Sequence, residues 1–124
     1  MKNKRLDLII FFSLAFGLFF ANYSNLHLPP TWDDAAYVIP ASIEFSRNGF
    51  SAIFVEESNG HPPLFFILLG FLFRIFGENL IIAHLVIVFF SVLVLFFTYK
   101  LGSFLFNRTS GLLSVFLVFF HPLF

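Results

Sequence analysis

The chain has 124 residues, of which 59% are hydrophobic, 11% are charged and 23 are phenylalanine, and its formal net charge is zero at pH 7. Because a soluble domain carries roughly 25% charged residues, so few charges cannot cover a water-facing surface, and the composition indicates an integral membrane protein. The basic residues are scattered, so nothing indicates a nucleic-acid partner and we predict none. The absence of cysteine excludes disulfides and thiol chemistry.

The first predicted element is a membrane span at residues 8–22, which are almost continuously apolar and follow the basic residues Lys2, Lys4 and Arg5. A cleaved signal peptide begins in the same way, but large phenylalanines stand where its small-residue cleavage site would be. We therefore predict an uncleaved span with its N-terminus in the cytoplasm.

Residues 22–60 form a long polar loop with five acidic residues and a single base, Arg47. This scarcity of Lys and Arg predicts that the loop lies on the external face, whether periplasmic, extracellular or luminal. A loop longer than about 12–15 residues is usually functional or disordered. The acidic residues are Asp33, Asp34, Glu44, Glu56 and Glu57.

Within this loop we predict a helix that lies along the membrane surface. Thr31 followed by Asp34 is a capping-box pattern, which predicts where the helix starts. Pro40 should kink the helix, and Asn48-Gly49 should end it. Apolar residues recur at helical spacing along it, as expected for a surface helix: Ala36, Ile39 and Ile43.

Three further spans are predicted, at about residues 61–76, 80–98 and 111–124. The second begins at Pro62-Pro63, which suit a first helical turn because their missing N–H groups are not needed there. Together these elements predict an all-α polytopic membrane protein with about four transmembrane helices and one surface helix. Because the fourth run is still apolar at Phe124, we expect residues 1–124 to be the N-terminal part of a larger transmembrane domain.

The charges near the last two spans conflict with this topology. Arg74 fits a cytoplasmic end of the second span, but Lys100 and Arg108 would then lie outside, against the positive-inside rule. We keep the four-span topology as the prediction, because the first helix usually dominates orientation.

Two motifs carry a family resemblance: Asp33-Asp34-Ala35-Ala36-Tyr37 and Gly60-His61-Pro62-Pro63-Leu64. Their order and spacing resemble the N-terminal region of the type C (GT-C) glycosyltransferases, which include the protein O-mannosyltransferases and the aminoarabinose transferase of lipid A. In that superfamily an Asp-Glu-x-x-Tyr-like motif opens the first external loop, and a His-Pro-Pro-Leu-like motif starts the second span. Arg74-Ile75-Phe76-Gly77 also matches the end of that span.

The resemblance implies a glycosyltransferase that moves a sugar from a polyprenyl-phosphate donor to an acceptor hydroxyl with inversion. It implies that Asp33 is the catalytic base, with Asp34 as an orienting neighbour, although the residues themselves do not separate the two. It implies that His61 reaches the lipid phosphate and that Tyr37 helps to bind substrate. The expected partners are the donor, membrane lipid and an acceptor that is protein, lipid or glycan.

Three positions depart from the family pattern. Asp34 stands where Glu is commoner, which keeps the charge and shortens its reach. Ala36 stands where the aminoarabinose enzyme has an Arg that helps hold the lipid phosphate, so that contact is missing. His84 lies in the third span where relatives often have Arg, and an apolar span favours a packed or hydrogen-bonding role for it.

A non-catalytic alternative is a small polytopic protein or a transporter fragment. In that case the acids are hydrated loop residues and His61 is a cap. Transporters usually place charge near the bilayer midplane at broken helices, whereas Asp33 and Asp34 precede a span, which favours the transferase. No cluster has metal-ligand spacing, so we predict no metal and no cofactor. We expect the chain alone to be inactive, because the remaining spans of the donor groove are missing.

Overall fold

The computed structural model describes residues 4–50 and 62–120, and in these ranges the regular structure is helical, without strands. The prediction of an all-α fold is therefore confirmed. The α-helices are α1 (Lys4–Asn22), α2 (Ile39–Asn48), α3 (Leu64–Phe76), α4 (Leu80–Leu105) and α5 (Arg108–Phe119). A 3-10 helix at Tyr23–His27 follows α1, and a π-helix at Asp34–Val38 leads into α2.

Two of these helical stretches are long and apolar enough to cross a membrane, Arg5–His27 with 23 residues and Leu80–Leu105 with 26. At 1.5 Å per residue α4 is about 39 Å long, more than a hydrocarbon core of about 30 Å. The helices α3 and α5 are apolar but have 13 and 12 residues, which gives roughly 20 and 18 Å. The described residues thus contain two helices of spanning length where the sequence predicted four spans.

The helix α4 continues to Leu105, seven residues past the predicted end of the third span. The predicted connection at residues 99–110 is accordingly reduced to a short turn before α5. Asn107 has an extended backbone there, and its side-chain oxygen accepts a hydrogen bond from the Ser110 N–H at 2.9 Å. This cap starts α5 at Arg108, because Asn is a favoured N-cap residue.

The chain forms two compact units. In the first, formed by residues 4–23 and 87–120, a buried apolar cluster joins α1, α4 and α5. Asp7 near the start of α1 pairs with Lys100 near the end of α4, with 2.6 Å between Oδ2 and Nζ. Gly102 allows α4 and α5 to approach closely, since a Cβ there would lie 2.9 Å from the Gly111 Cα. The buried cluster comprises Leu18, Val92, Leu95, Tyr99 and Val115.

The second unit, residues 24–86, contains α2, α3 and the first turns of α4. The middle of α3 packs tightly on α2, because Gly70 lacks a Cβ that would otherwise lie 2.5 Å from the Ser42 carbonyl oxygen. On α3, Leu69 and Phe73 are buried in one cluster with Ala83 and Val86 of α4. This packing fixes the framework on which the acidic motif is carried.

Candidate functional site

The acidic motif opens the helical segment that leads into α2. Asp33 is its N-cap and Asp34 its first residue, and both side chains are exposed. No side-chain cap bond is made at Asp33, and the Asp34 N–H instead donates to the Thr31 carbonyl oxygen at 3.2 Å. The predicted capping box of Thr31 and Asp34 is therefore not what starts this helix.

Trp32, directly before the acidic pair, has a φ of 53°. This is the left-handed region, which costs a residue with a Cβ roughly 1–2 kcal/mol. The indole is 90% exposed, so its own packing offers little to offset that cost. The strained residue lies directly before the two carboxylates, a kind of position where backbone strain often accompanies a functional site.

Pro40 is accommodated by a π-turn rather than by a simple break. The Ile39 N–H donates to the carbonyl oxygen of Asp34, five residues earlier, which is the π-helical pattern. Pro40 then falls in the first turn of α2, where its missing N–H is not needed. The π-helical turn thus lies directly before Pro40 and carries the acidic motif, while the predicted kink at Pro40 stays a prediction.

The structure brings three of the four predicted site residues onto one short helical segment. Tyr37 is half-buried and lies four residues after Asp33, and residues at this spacing share one side of a helix. The fourth, His61, lies outside the described residues, as do Glu56 and Glu57. Pro63 is the N-cap of α3, so the helix begins directly after the two prolines, whereas the sequence predicted that both lie within its first turn.

His84 anchors the segment that approaches the acidic pair. Its Nε2 lies 3.1 Å from the carbonyl oxygen of Leu28, which agrees with the hydrogen-bonding role expected for this residue. The partner belongs to the segment before the acidic motif, which the sequence did not indicate. The only signal available from the sequence was a polar ring in an otherwise apolar run.

At the other end of α2, Arg47 and Glu78 form an ion pair with two hydrogen bonds, of 2.9 and 2.7 Å. The hydroxyl of Ser46 also donates to Glu78, at 3.2 Å. The Arg47 guanidinium lowers the pKa of Glu78 through these hydrogen bonds, and Glu78 raises the pKa of Arg47 in the same way. Sequence reasoning missed this pair, because the predicted topology put the two residues on opposite membrane faces.

Chemically, the site offers two adjacent exposed carboxylates at the start of a helix. Such groups accept protons or orient hydroxyls. Among residues 4–50 and 62–120 there is no group of three His, Cys, Asp or Glu side chains arranged to hold a metal ion.

A family model described as dolichyl-phosphate-mannose-protein mannosyltransferase matches residues 60–124. The matched residues include His61-Pro62-Pro63 and all of α3, α4 and α5. They also include Glu78, which pairs with Arg47, and His84, which contacts Leu28. It does not extend over Asp33, Asp34 and Tyr37. No match was found among curated proteins or solved structures.

Proposed function

The chain belongs to the dolichyl-phosphate-mannose-protein mannosyltransferase family, and on that premise we propose that it takes part in moving a sugar from a polyprenyl-phosphate donor to an acceptor hydroxyl with inversion. The observation that carries this proposal is the family match over residues 60–124, which is just over half of the chain. The match, together with the apolar helices, supports a membrane glycosyltransferase over a transporter fragment or an inert polytopic protein.

The proposed step is a single displacement at the anomeric carbon. The acceptor oxygen attacks the face of the sugar opposite the phosphate and forms the new glycosidic bond. The bond from the anomeric carbon to the phosphate oxygen breaks, and its electron pair leaves with the lipid phosphate. The acceptor's proton passes to a carboxylate, since a hydroxyl is a poor nucleophile until its proton is removed.

We assign Asp33 as that carboxylate and Asp34 as its orienting neighbour. Both are exposed, so an acceptor in water can reach them. The contact of His84 with the carbonyl oxygen of Leu28, five residues before Asp33, restricts how far the acidic motif can move. A general base must lie within hydrogen-bond reach of the proton that it removes, and this anchoring supports such placement.

The departing phosphate requires positive charge or N–H donors, because negative charge develops on it during the reaction. We assign this role to His61, which directly precedes Pro62 and α3 in the sequence. Tyr37, on the same helical segment as Asp33, is assigned to substrate binding. We propose that the N-terminus lies in the cytoplasm and that residues 22–60 lie outside, which the basic N-terminal residues favour.

The test is a transfer assay with the protein in its natural membranes and a panel of labelled polyprenyl-phosphate sugars. We expect one donor to label a membrane or protein acceptor, and the label to be absent from membranes of cells that lack the gene. Equal labelling in both membranes with every donor would contradict the proposal.

A further inference from the structure

Trp32 carries a large aromatic ring that the fold does not bury. Its side chain is 90% exposed, more than any other large apolar side chain in residues 4–50 and 62–120. Tryptophan is highly buried on average in folded proteins, because its ring gains much free energy by leaving water. A ring left in water gives up that gain, and a ligand that covers the ring recovers it.

The backbone under this ring is also in an unfavourable conformation. Within residues 4–50 and 62–120, Trp32 is the one non-glycine residue with a positive φ, at 53°. Glycine would remove this strain, since it has no Cβ to crowd the backbone. Neither burial nor backbone conformation therefore explains a tryptophan at this position. Strain of this kind often accompanies a functional site.

Trp32 lies directly beside the proposed catalytic carboxylates. Consecutive Cα atoms are about 3.8 Å apart, and the next two residues are Asp33 and Asp34, both exposed. The segment before Trp32 is held by the contact of 3.1 Å between His84 and the carbonyl oxygen of Leu28. A substrate with a hydroxyl group at Asp33 is therefore within reach of the indole.

A pyranose ring matches the chemistry of these neighbouring groups. The C–H bonds on one side of the sugar form an apolar, weakly positive face, and the face of an indole is apolar and negative. The hydroxyl groups around the sugar's edge donate hydrogen bonds to carboxylates, which are strong acceptors because they are charged. An aromatic ring with carboxylates beside it can thus bind both parts of a sugar.

From these observations we propose that Trp32 is a sugar-binding residue and that its indole face stacks on the pyranose ring of a substrate held beside Asp33 and Asp34. This inference rests on the proposed function and adds Trp32 to the substrate-binding residues Tyr37 and His61. The pyranose ring belongs to the lipid-linked donor or to an acceptor glycan. The two share the same chemistry and are separated by experiment.

An exposed tryptophan can also serve as an anchor at the membrane interface. A ring that enters the headgroup layer takes its sequence neighbours with it. Both neighbours of Trp32, Thr31 and Asp33, are polar and exposed, and dehydrating an unpaired carboxylate is costly. A sugar covers the ring and leaves these neighbours hydrated, so it is the better occupant.

The first test uses the fluorescence of Trp32, the only tryptophan in the sequence. The chain is reconstituted in phosphatidylcholine nanodiscs, and quenching by aqueous iodide is measured with three probes. These are a short-chain polyprenyl-phosphate mannose, the same polyprenyl phosphate without sugar, and a mannose oligosaccharide. We expect iodide to quench the free ring strongly. A bound sugar should lower the quenching constant about twofold, because it covers one of the two ring faces.

Protection by the polyprenyl-phosphate mannose supports stacking on the donor sugar, and protection by the oligosaccharide supports stacking on an acceptor glycan. Equal protection by polyprenyl phosphate with and without sugar would overturn the proposal, because lipid or phosphate would then cover the ring. Weak quenching of the free ring would also overturn it, since the indole would already be covered by lipid or protein. Failure of both sugar probes to protect the ring would do the same.

The second test compares Trp32→Phe, Trp32→Ala and Trp32→Gly in the transfer assay. Phe keeps an aromatic face, whereas Ala and Gly remove it and only Gly relieves the backbone. We expect KM for the sugar that Trp32 binds to rise about 3- to 10-fold in both Ala and Gly variants, with a smaller change in kcat and in the Phe variant. The matched control is Phe76→Ala, which removes another exposed aromatic ring (70%) and should leave KM unchanged.

Failure of this inference and failure of the proposed function give different results. If the natural protein transfers no sugar from any donor, the proposed function fails, and the iodide experiment still decides whether Trp32 binds sugar. If the natural protein transfers sugar and the Ala and Gly variants keep its KM, the proposed function stands and the inference about Trp32 is wrong. A natural KM in the Gly variant alone would assign the effect to the backbone and would also overturn the inference.

Discussion

The imidazole of His84 and the backbone carbonyl of Leu28, 56 residues apart in the chain, are joined by a contact of 3.1 Å. The bond ties the first turns of α4 to the segment that leads into the acidic motif. Leu26, two residues earlier, is buried, while Pro29 and Pro30 stiffen the path to Asp33 because proline fixes φ. Asp33 and Asp34 are exposed, but the segment before them is held by the contact between His84 and Leu28.

The first prediction concerns this anchor. His84→Ala should lower the free energy of unfolding by about 1 kcal/mol, the usual net value of one hydrogen bond. His84→Gln should recover part of the loss, because its amide can still donate to the Leu28 carbonyl. Thermal unfolding of the detergent-purified variants measures both. Equal losses in the two variants would assign the effect to packing rather than to the hydrogen bond.

Gly70 provides the second prediction. A Cβ at this position would lie 2.5 Å from the Ser42 carbonyl oxygen and 2.9 Å from the Phe45 ring. Because the first of these is backbone, Gly70→Ala should push α2 away from α3 and destabilise the unit by about 1–3 kcal/mol.

The matched control is Gly17→Ala in α1, where nothing lies within 4 Å of the added Cβ. There the better helix propensity of Ala should leave stability unchanged or raise it by up to about 1 kcal/mol. Thermal unfolding of both variants gives the comparison. A Gly70→Ala protein as stable as Gly17→Ala would show that the close contact with Ser42 does not exist.

Trp32 provides the third prediction, through its φ of 53°. Trp32→Gly and Trp32→Ala both remove the exposed indole, but only glycine adopts this backbone conformation without a Cβ penalty. Trp32→Gly should therefore be about 1 kcal/mol more stable than Trp32→Ala. Unfolding of the two purified variants by the same denaturant tests this. An Ala variant at least as stable as the Gly variant would mean that the backbone at position 32 is unstrained.

The glycines in the sequence predicted the ends of α2 and α3, whereas the end of α4 and the start of the segment at Asp33 were not predicted correctly. Gly49 ends α2 and Gly77 ends α3, both with positive φ, because these positions depend on the chain immediately around them. Pro63 begins α3 for the same reason. The pairing of Asp7 with Lys100, residues 93 positions apart, could not be predicted in this way.

The candidate site was predicted from sequence only as a set of residue types. Asp33, Asp34 and Tyr37 lie on one helical segment, as their spacing indicated, but their roles stay predictions. The contacts that hold this segment and α2, through His84 and Glu78, were not predicted. They join a helical residue to a residue outside the helices and far from it in the chain, His84 to Leu28 and Arg47 to Glu78. Hydrophobic periodicity carries no information about such partners.

The fourth prediction concerns pH and Glu78. Its pKa is lowered below the ordinary value of 4.5 by hydrogen bonds from Arg47. A lowered carboxyl pKa contributes stability that is present above the ordinary pKa and is lost as pH falls through the lowered one. The stability difference between the natural protein and Glu78→Gln should therefore be constant from neutral pH down to 4.5 and shrink below it.

The measurement for Glu78 is the melting temperature of both proteins across that pH range, at low and high salt. High salt should reduce the difference, because the Arg47 side chain is 63% exposed and exposed charges are screened. A difference that grows as the solution is acidified would contradict the assignment of the pair.

The most direct test of the proposed chemistry is the rate of sugar transfer by Asp33→Asn in the protein's natural membranes. The amide keeps the shape of the carboxylate but cannot accept the acceptor's proton, so we expect transfer to fall by at least about 100-fold, the lower end of what a general base contributes. Membrane insertion and melting temperature should not change, and Asp34→Asn should retain more activity than Asp33→Asn. Near-normal transfer by Asp33→Asn with loss of transfer by Asp34→Asn would reverse the roles of the two acids. Near-normal transfer by both variants would contradict a catalytic role for this motif.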